Sequence, residues 1–317
     1  MNDLLKRARG GDEHAFADLV DGYRRELTVH CYRMLGSMDD ADDALQETFV
    51  AAWRALPGFE GRSSLRTWLY KIATNVSLRI AERRRRLLSW DRGPARDPLG
   101  DLGPPLEDDG WLEPWIEPDA DPAEIYLRRE GIELAYVAAL QHVSPNQRAV
   151  LILRDVLGFS AAEAADALDT SVGSVTSALQ RARNAVAARV PAESQQVERI
   201  AAEHAGVVDA FVTAFEVGDV PALIQLLIED VRFTMPPLPA WFSGRAEVAA
   251  FFEHRSLVTP WRVERRLEVN GQPALLAHQH HNGQWRPGAL LVLAFSAGRI
   301  SWIASFLDPA HLALAQR

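Results

Sequence analysis

The side chains best suited to chemistry lie in a basic stretch between positions 62 and 86. This stretch holds eight Lys or Arg residues and one acid, although the 317-residue chain has a formal net charge of −9. Four of its side chains recur at spacings of three, four and four, which places them on one flank of a helix: Trp68, Lys71, Asn75 and Arg79. A ring that stacks on a base beside cations that hold phosphates suits single-stranded nucleic acid. The alternative is that Trp68 belongs to the core and the cations are only solvated.

Two amphipathic helices must position this stripe. The spacing of apolar residues predicts a first helix between Ala41 and Leu56 and a second from Leu65 to Ile80. The buried stripe of the first comprises Leu45, Phe49, Ala52 and Leu56, and that of the second comprises Leu65, Leu69, Ile72, Val76 and Ile80. The face opposite the first stripe is acidic, and it is either a solvated surface with a favourable N-terminal charge or a binding surface.

Composition divides the rest of the chain. Residues 91–124 hold eleven acids against two arginines and are rich in proline, which predicts an extended, self-repelling linker. The sequence therefore predicts four pieces, namely a helical domain at 1–90, a linker at 91–122, a second helical domain at 123–191 and an α+β domain at 195–317. A single cysteine, no signal-peptide pattern and no apolar run of about 20 residues lead us to expect a cytoplasmic protein.

The second helical domain has helix-turn-helix spacing. A short helix is predicted from Ser160, followed by a break at 168–171 and another helix from Val172. The predicted seam of the last helix comprises Val172, Val175, Leu179, Ala182 and Val186. Polar residues lie on the opposite side, where a recognition helix contacts DNA. A generic helical hairpin would show the same seam.

The C-terminal piece begins with helices and continues with long strand candidates, which indicates helices covering a curved antiparallel sheet. Its "HQHH" segment raises the possibility of a metal site. On a strand His278 and His280 face one side and His281 the other, so we expect no metal, no cofactor and no catalytic residue here. The aromatic residues of the strands form either core or a ligand cage: Trp241, Trp261, Trp285, Trp302 and Phe306.

Two segments, "DADDALQETFVAAW" and "FEGRSSLRTWLYKIATNVSLRIAERRRR", resemble region 2 of the bacterial sigma-70 family, extracytoplasmic-function (ECF) group. The resemblance implies that the first helix docks on the clamp helices of RNA polymerase, through Asp43, Gln46, Glu47 and Trp53. It also implies that the second helix and the loop at 57–63 recognise and open the −10 promoter element, through Arg62, Trp68, Lys71, Asn75 and Arg79.

The segment from Ser144 to Val186 resembles region 4 of the same family, which binds the −35 element. Carried over to this chain, the contact residues are Ser174, Ser177, Gln180, Arg181 and Asn184. Family members often have Gly in the turn and basic residues early in the recognition helix. Asp169, Thr176 and Ala178 stand there instead, which implies a weaker grip on phosphates.

The C-terminal piece resembles SnoaL-like domains of the cone fold, most firmly in "GDVPALIQLLIEDVRFTMPP" and "GRAEVAAFF". A subset of ECF sigma factors carries such a domain, usually in place of a separate anti-sigma protein. The resemblance implies regulation in cis, through intramolecular contacts of this domain with regions 2 and 4. Trp111 and Trp115 are apolar anchors in the linker and are our candidates for touching the other domains.

Three functions from different classes compete. They are a promoter-specific initiation factor, a cone-fold enzyme fused to a DNA-binding module, and a helix-turn-helix repressor that senses a ligand. Only the first accounts for both helical domains, so the sequence predicts a non-enzymatic sigma factor whose partners are core RNA polymerase and promoter DNA. A ligand-sensing or enzymatic cone domain fused to a DNA-binding module remains the alternative.

Overall fold

The computed structural model describes residues 2–83, 86–106, 110–116, 133–188 and 204–316. The chain forms two compact units, one from Met1–Arg86 with Val137–Arg189 and the other from Leu87–Tyr136 with Val190–Arg317. None of the helices in the described ranges combines the length and apolarity needed to cross a bilayer.

The helices, in chain order, are α1 Asn2–Arg9, α2 Glu13–Leu35, α3 Met38–Ala55, α4 Leu65–Ala81, α5 Ser89–Arg92, α6 Leu134–Leu140, α7 Pro145–Leu151, α8 Ala161–Ala167, α9 Val172–Ala187, α10 Ala205–Val217, α11 Val220–Gln225, α12 Arg245–Phe251 and α13 Pro309–Ala315. The strands are β1 Leu227–Thr234, β2 Trp241–Ser243, β3 Trp261–Val269, β4 Gln272–His281, β5 Gln284–Ser296 and β6 Arg299–Phe306.

Side-chain caps fix where the helices of the first unit begin. Asp12 accepts a hydrogen bond from the backbone N–H of Ala15, and Ser64 accepts one from that of Thr67, both at 3.0 Å. Each cap satisfies a donor that a helix start leaves without an intrahelical partner. These starts let α2, α3 and α4 pack around a core that includes Tyr32, Leu69 and Tyr70.

The helix-turn-helix consists of α8, a turn and α9. Asp169, in the turn, adopts a φ of 46°, in the left-handed region that Asp tolerates better than most residues. Val175, Leu179, Ala182 and Val186 are buried, as the seam predicts. The placement of Val172 in this seam is wrong: it is 48% exposed because the first turn of α9, with its neighbours 171–174 all exposed, extends beyond the packed part of the helix.

The second unit is built on a six-stranded sheet in the order β2-β1-β6-β5-β4-β3. The β1–β6 pairing is parallel and the other pairings are antiparallel. Register shifts interrupt the pairings of β3, β4, β5 and β6, and such irregularities bend strands. The core on one face joins strand residues to α10 and α12, as an α+β cone requires.

The predicted linker differs from a solvated tether over its described part. Trp111, Leu112, Trp115 and Ile116 are buried. The Trp115 backbone N–H donates to Asn270 Oδ1 at 2.7 Å, and Ile116 bridges to Val269 at the edge of β3. The apolar residues that lie between the acids are buried because removing them from water is favourable. The net charge of the segment does not reveal this.

Candidate nucleic-acid interface

The predicted −10 stripe occupies one flank of α4, with Trp68 at its N-terminal end. The Trp68 ring lies 5.0 Å from the Phe59 ring, which belongs to the preceding loop and is itself buried. Trp68 is half-buried, whereas Asn75 and Arg79 are exposed. Arg62 is also exposed, and its Nε lies 3.2 Å from Glu60 Oε2. The two rings are tilted by 44°, and the half-buried Trp68 ring keeps a partly open surface suited to stacking.

A groove of about 450 Å³ lies between α3 and α4, and it brings the two predicted binding surfaces together. Arg79 Nη2 lies 2.5 Å from Glu47 Oε1 across this groove. The lining residues are Glu47, Val50, Ala51, Arg54, Ile72, Asn75, Val76 and Arg79. The acidic face of α3 therefore meets the cationic end of the α4 stripe, which the sequence does not reveal.

The predicted polymerase surface on α3 is acidic and open to solvent. Asp43, Gln46 and Glu47 are exposed, and Trp53 is half-buried with its ring 5.1 Å from that of Phe16. Partial burial, followed by the charges of Asp39 and Asp43, raises the pKa of Asp42 above its ordinary value. Carboxylates crowded on one helix face repel each other, so a cationic partner would relieve this repulsion.

Lys71, in the middle of the stripe, contacts the helix-turn-helix within the first unit. Its Nζ donates to the Asp166 carbonyl oxygen at 2.7 Å and lies 3.2 Å from Asp166 Oδ2 and 3.7 Å from Asp169 Oδ1. Asp166 is in the last turn of α8, where the sequence predicts no functional residue. The only sequence sign was the unusual Asp169 in the turn.

Two further contacts join the region 2 and region 4 segments. The buried Arg148 guanidinium donates to the Met34 carbonyl oxygen and, at 2.6 Å, to Gln141 Oε1. The Tyr70 and Phe159 rings meet edge-on with centroids 5.8 Å apart. Sequence reasoning missed Arg148, although a cation in the apolar run of α7 is a sign of a buried, satisfied charge.

The predicted −35 residues all lie on the solvent side of α9: Ser174, Ser177, Gln180, Arg181 and Asn184 are exposed. Gln180 Nε2 donates to Asn184 Oδ1 at 3.1 Å, so the two amides orient each other. The neighbouring Arg183 forms a bidentate pair with Asp155 at 2.8 and 2.6 Å. That hydrogen bond, together with the Asp155 charge, raises the pKa of Arg183.

In the second unit the linker tryptophans contact that unit's own residues. Trp111 Nε1 donates to the Leu106 carbonyl oxygen at 3.1 Å, and the Arg92 guanidinium lies 3.9 Å from the Trp111 ring centroid. Trp115 is held by the hydrogen bond to Asn270 described above. Their predicted contact with the other domains stays a prediction.

The histidines of β4 do not converge. His278 is buried, His280 lies 5.1 Å from the Trp285 ring and His281 is exposed. Within the described ranges, no three His, Cys, Asp or Glu side chains are grouped as metal ligands would be. Of the five strand aromatics, Trp302 and Phe306 are buried and the other three are half-buried.

Comparison with known proteins shows the family to which the chain belongs. Residues 19–87 match sigma-70 region 2, residues 133–186 match sigma-70 region 4 and residues 208–301 match the SnoaL-like domain. The chain is 42% identical over 308 residues to the ECF RNA polymerase sigma factor SigG of Mycobacterium tuberculosis, covering 95% of this chain and 82% of the relative. It is 32% identical over 183 residues to the RNA polymerase sigma-H factor of Pseudomonas aeruginosa, covering 58% of this chain and 90% of that one.

The crystal structure of the extracytoplasmic function sigma factor SigJ of Mycobacterium tuberculosis shares the fold. It matches with a TM-score of 0.64 and 19% identity, covering 94% of this chain and 99% of that chain. The chain thus carries matches to region 2, region 4 and the SnoaL-like domain in that order, and its match to SigG covers 95% of its length. The protein belongs to the extracytoplasmic-function sigma factors of RNA polymerase.

Proposed function

We propose that this sigma factor contacts the −35 element with α9, opens the −10 element with α4, and is regulated in cis by its SnoaL-like domain. The observation that carries the proposal is one flank of α4, where the half-buried Trp68 is followed by the exposed Asn75 and Arg79, and the last two line the groove to α3. No catalytic residue is part of the proposal, and no separate anti-sigma protein is required.

Strand opening tests the role of Trp68. Stacking of a base on an aromatic side chain is worth about 1–3 kcal/mol, so Trp68→Ala should slow opening roughly 5- to 150-fold. Binding to core polymerase should be unchanged. Permanganate footprinting of the −10 region measures opening, and Trp285→Ala, another half-buried tryptophan, is the matched control. Undiminished opening by a folded Trp68→Ala protein would remove Trp68 from the mechanism.

Two neighbouring arginines of α9 provide a test substitution and a matched control for binding to the −35 element. Arg181 projects from the predicted contact face, whereas Arg183 is bound by Asp155. We expect Arg181→Ala to weaken −35 binding more than Arg183→Ala does, and Gln180→Ala to alter the preferred base by about 1–3 kcal/mol. Selection from randomised −35 sequences checks this. Equal losses for the two arginines, with the motif unchanged, would contradict it.

For the polymerase surface, we propose that Asp43, Gln46, Glu47 and Trp53 make the contact. Glu47 also pairs with Arg79, so polymerase binding at Glu47 would release Arg79 toward DNA. Glu47→Gln should therefore weaken core binding while leaving promoter affinity of the preassembled complex nearly unchanged. Titration of core polymerase with a fluorescent full-length chain measures the first effect. Unaltered core affinity would exclude Glu47 from the contact.

The contact between Lys71 and the helix-turn-helix supports a closed state of regions 2 and 4. A cation bound to Asp166 and Asp169 must leave them before it can hold a phosphate. Partly exposed ion pairs are worth about 0.2–1 kcal/mol each, so core polymerase could overturn this state. We propose that the SnoaL-like domain adds to the bias toward it through contacts with regions 2 and 4.

Removing the two acids tests the closed state. Asp166→Asn with Asp169→Asn keeps the turn, because Asn also tolerates the left-handed conformation at position 169. Basal promoter binding should rise roughly two- to thirtyfold. Asp230→Asn with Glu253→Gln changes the net charge equally at exposed sites of the other unit. An equal rise in both double variants would show a charge effect only.

The linker tryptophans test the contribution of the second unit. Trp111→Ala with Trp115→Ala removes the anchors that hold the linker to its unit, and we expect higher basal transcription in vitro. Trp285→Ala serves as control. Wild-type transcription by a folded double variant would show that the anchored linker has no part in regulation.

A further inference from the structure

The helix α9 exposes an apolar side chain in its first turn. Val172 is 48% exposed, whereas Val175, one turn later, is fully buried in the seam. A single exposed valine is common on protein surfaces, so its neighbours decide whether it has a role. Val172 is not among the −35 contact residues named above, although it lies on the same helix.

Thr176 stands next to Val172, because residues four positions apart are neighbours on one face of a helix. Thr176 is exposed, and its Oγ1 donates to the Val172 carbonyl oxygen at 3.0 Å. Since the helix backbone binds the hydroxyl hydrogen, the methyl group is the main feature that Thr176 offers to a partner. Val172 and Thr176 are here termed the methyl patch.

Gly173 lies beside the methyl patch and leaves the helix backbone accessible. Outside the helix backbone and its chain neighbours, a Cβ at this position would meet only Ser171 Oγ, at 3.9 Å. Packing within the protein therefore does not require glycine here, although glycine inside a helix costs about 1 kcal/mol relative to alanine. A residue without a side chain lets an external surface approach the backbone closely.

The cap of α9 holds the patch in a defined position. Ser171 Oγ accepts a hydrogen bond from the Ser174 backbone N–H at 3.1 Å, and the two hydroxyl oxygens lie 2.9 Å apart. A valine in a helix has one strongly preferred χ1 rotamer. Side chains that are ordered in this way lose little entropy when they bind.

The uncharged character of this end of α9 restricts which base it can read. Residues 170–180 include no Lys, Arg, Asp or Glu. Guanine is read most often by Arg or Lys and cytosine by Asp or Glu, whereas apolar side chains contact the C5 methyl group of thymine. The N-terminal residues of a recognition helix are the ones that lie against base edges in the major groove. The methyl patch therefore matches thymine.

We propose that Val172 and Thr176 read thymines of the −35 element by packing against their C5 methyl groups in the major groove. The inference rests on the proposed function, because it requires α9 to contact the −35 element. Gln180 follows four positions after Thr176 on the same row, and its carboxamide suits adenine. The row as a whole thus favours A·T base pairs.

Replacement of thymine by deoxyuridine tests the contact, because it removes only the C5 methyl group. Each thymine of the −35 sequence obtained by the selection described above is replaced singly, on either strand. Competition binding with the full-length chain and core polymerase measures the affinity. In the wild type, uracil should weaken binding about fourfold at one or two positions, which is the effect of one buried methyl group.

Two variants assign these positions. Val172→Ala should abolish the sensitivity to uracil at one thymine. Thr176→Ser, which keeps the hydroxyl bond to the backbone, should abolish it at a thymine one or two base pairs away, because four helical residues span about 6 Å. Alanine is a better helix former than valine, so a loss of affinity in Val172→Ala cannot come from a destabilised helix.

Val217→Ala is the matched control, since it shortens a 74% exposed valine at the end of α10 in the other unit and should change neither affinity nor sensitivity. Three outcomes would overturn the inference: a selected motif without A·T pairs, uracil that is neutral at every position, or a loss in Val172→Ala that is equal on thymine and uracil templates. The last would indicate a contact with protein.

Arg181→Ala separates this inference from the proposed function. If Arg181→Ala weakens −35 binding while uracil is neutral everywhere, α9 reads the element and only the methyl contact is wrong. If Arg181→Ala and Val172→Ala both leave −35 binding unchanged, α9 is not the reader and both proposals fail.

Discussion

Two ion pairs of region 2 should differ sharply in their contribution to stability, although both join an arginine to an acid of α3. Asp40 and Arg86 are paired with side chains only 8% and 3% exposed, whereas Glu47 and Arg79 are 48% and 53% exposed. Removing one partner of a buried pair leaves an uncompensated charge and costs about 3–5 kcal/mol. An exposed pair is worth about 0–1 kcal/mol.

Matched acid-to-amide substitutions measure this difference. We expect Asp40→Asn to lower the free energy of unfolding by about 3 kcal/mol and Glu47→Gln by less than 1 kcal/mol. Because a chain with several domains does not unfold in one step, hydrogen exchange of peptides from α3 and α4 in the full-length protein is the suitable assay. Asp40→Leu with Arg86→Met should recover most of the loss. Equal hydrogen-exchange protection of α3 and α4 in Asp40→Asn and Glu47→Gln would refute the reasoning.

Three further predictions concern His30, Glu133 and Gly288. Burial lowers the pKa of His30 to about 3, so between pH 6.5 and 3 the unfolded chain binds a proton at His30 and the folded chain does not. The free energy of unfolding should therefore fall by up to about 5 kcal/mol as the pH drops from 6.5 toward 3. His30→Gln should flatten this part of a plot of urea midpoint against pH. Burial raises the pKa of Glu133 to about 8, so stability should fall as pH rises from about 4.5 to 8, and Glu133→Gln should remove that slope. Gly288→Ala forces the Trp261 ring to move and should cost about 1–3 kcal/mol in thermal unfolding, whereas Gly206→Ala, with nothing within 4 Å, should be neutral or slightly stabilising.

The elements themselves could be predicted from the sequence because their periodicities are strong. The apolar spacing predicts α3, α4 and α9, and runs rich in aromatic and β-branched residues predict the long strands, whereas α2 and the three-residue strand β2 are not predicted. Boundaries were set by caps such as Ser64 and Ser144, which are local and therefore visible in the sequence. The exposure of Val172 cannot be predicted from the spacing, because it depends on where the packing partners of α9 end.

Contacts between distant residues could not be predicted. Nothing near Lys71 in the sequence indicates that Asp166 will meet it, and the basic run ending at Arg86 gives no sign that its last member turns inward to Asp40. The linker shows the same limit. Its tryptophans are predicted as apolar anchors, but the residues that they contact, such as Asn270 for Trp115, cannot be predicted from composition. The family resemblance supplied residue roles that no periodicity contains, and those roles stay predictions.

The packing of the linker on the sheet has a consequence for synthesis on the ribosome. Trp115 and its partner Asn270 are 155 positions apart. Chains grow at about 5–20 residues per second, so Trp115 waits roughly 8 to 30 seconds for its partner on the sheet. During that interval the nascent chain displays apolar side chains flanked by acids, and those charges would keep neighbouring nascent chains apart until the sheet is complete.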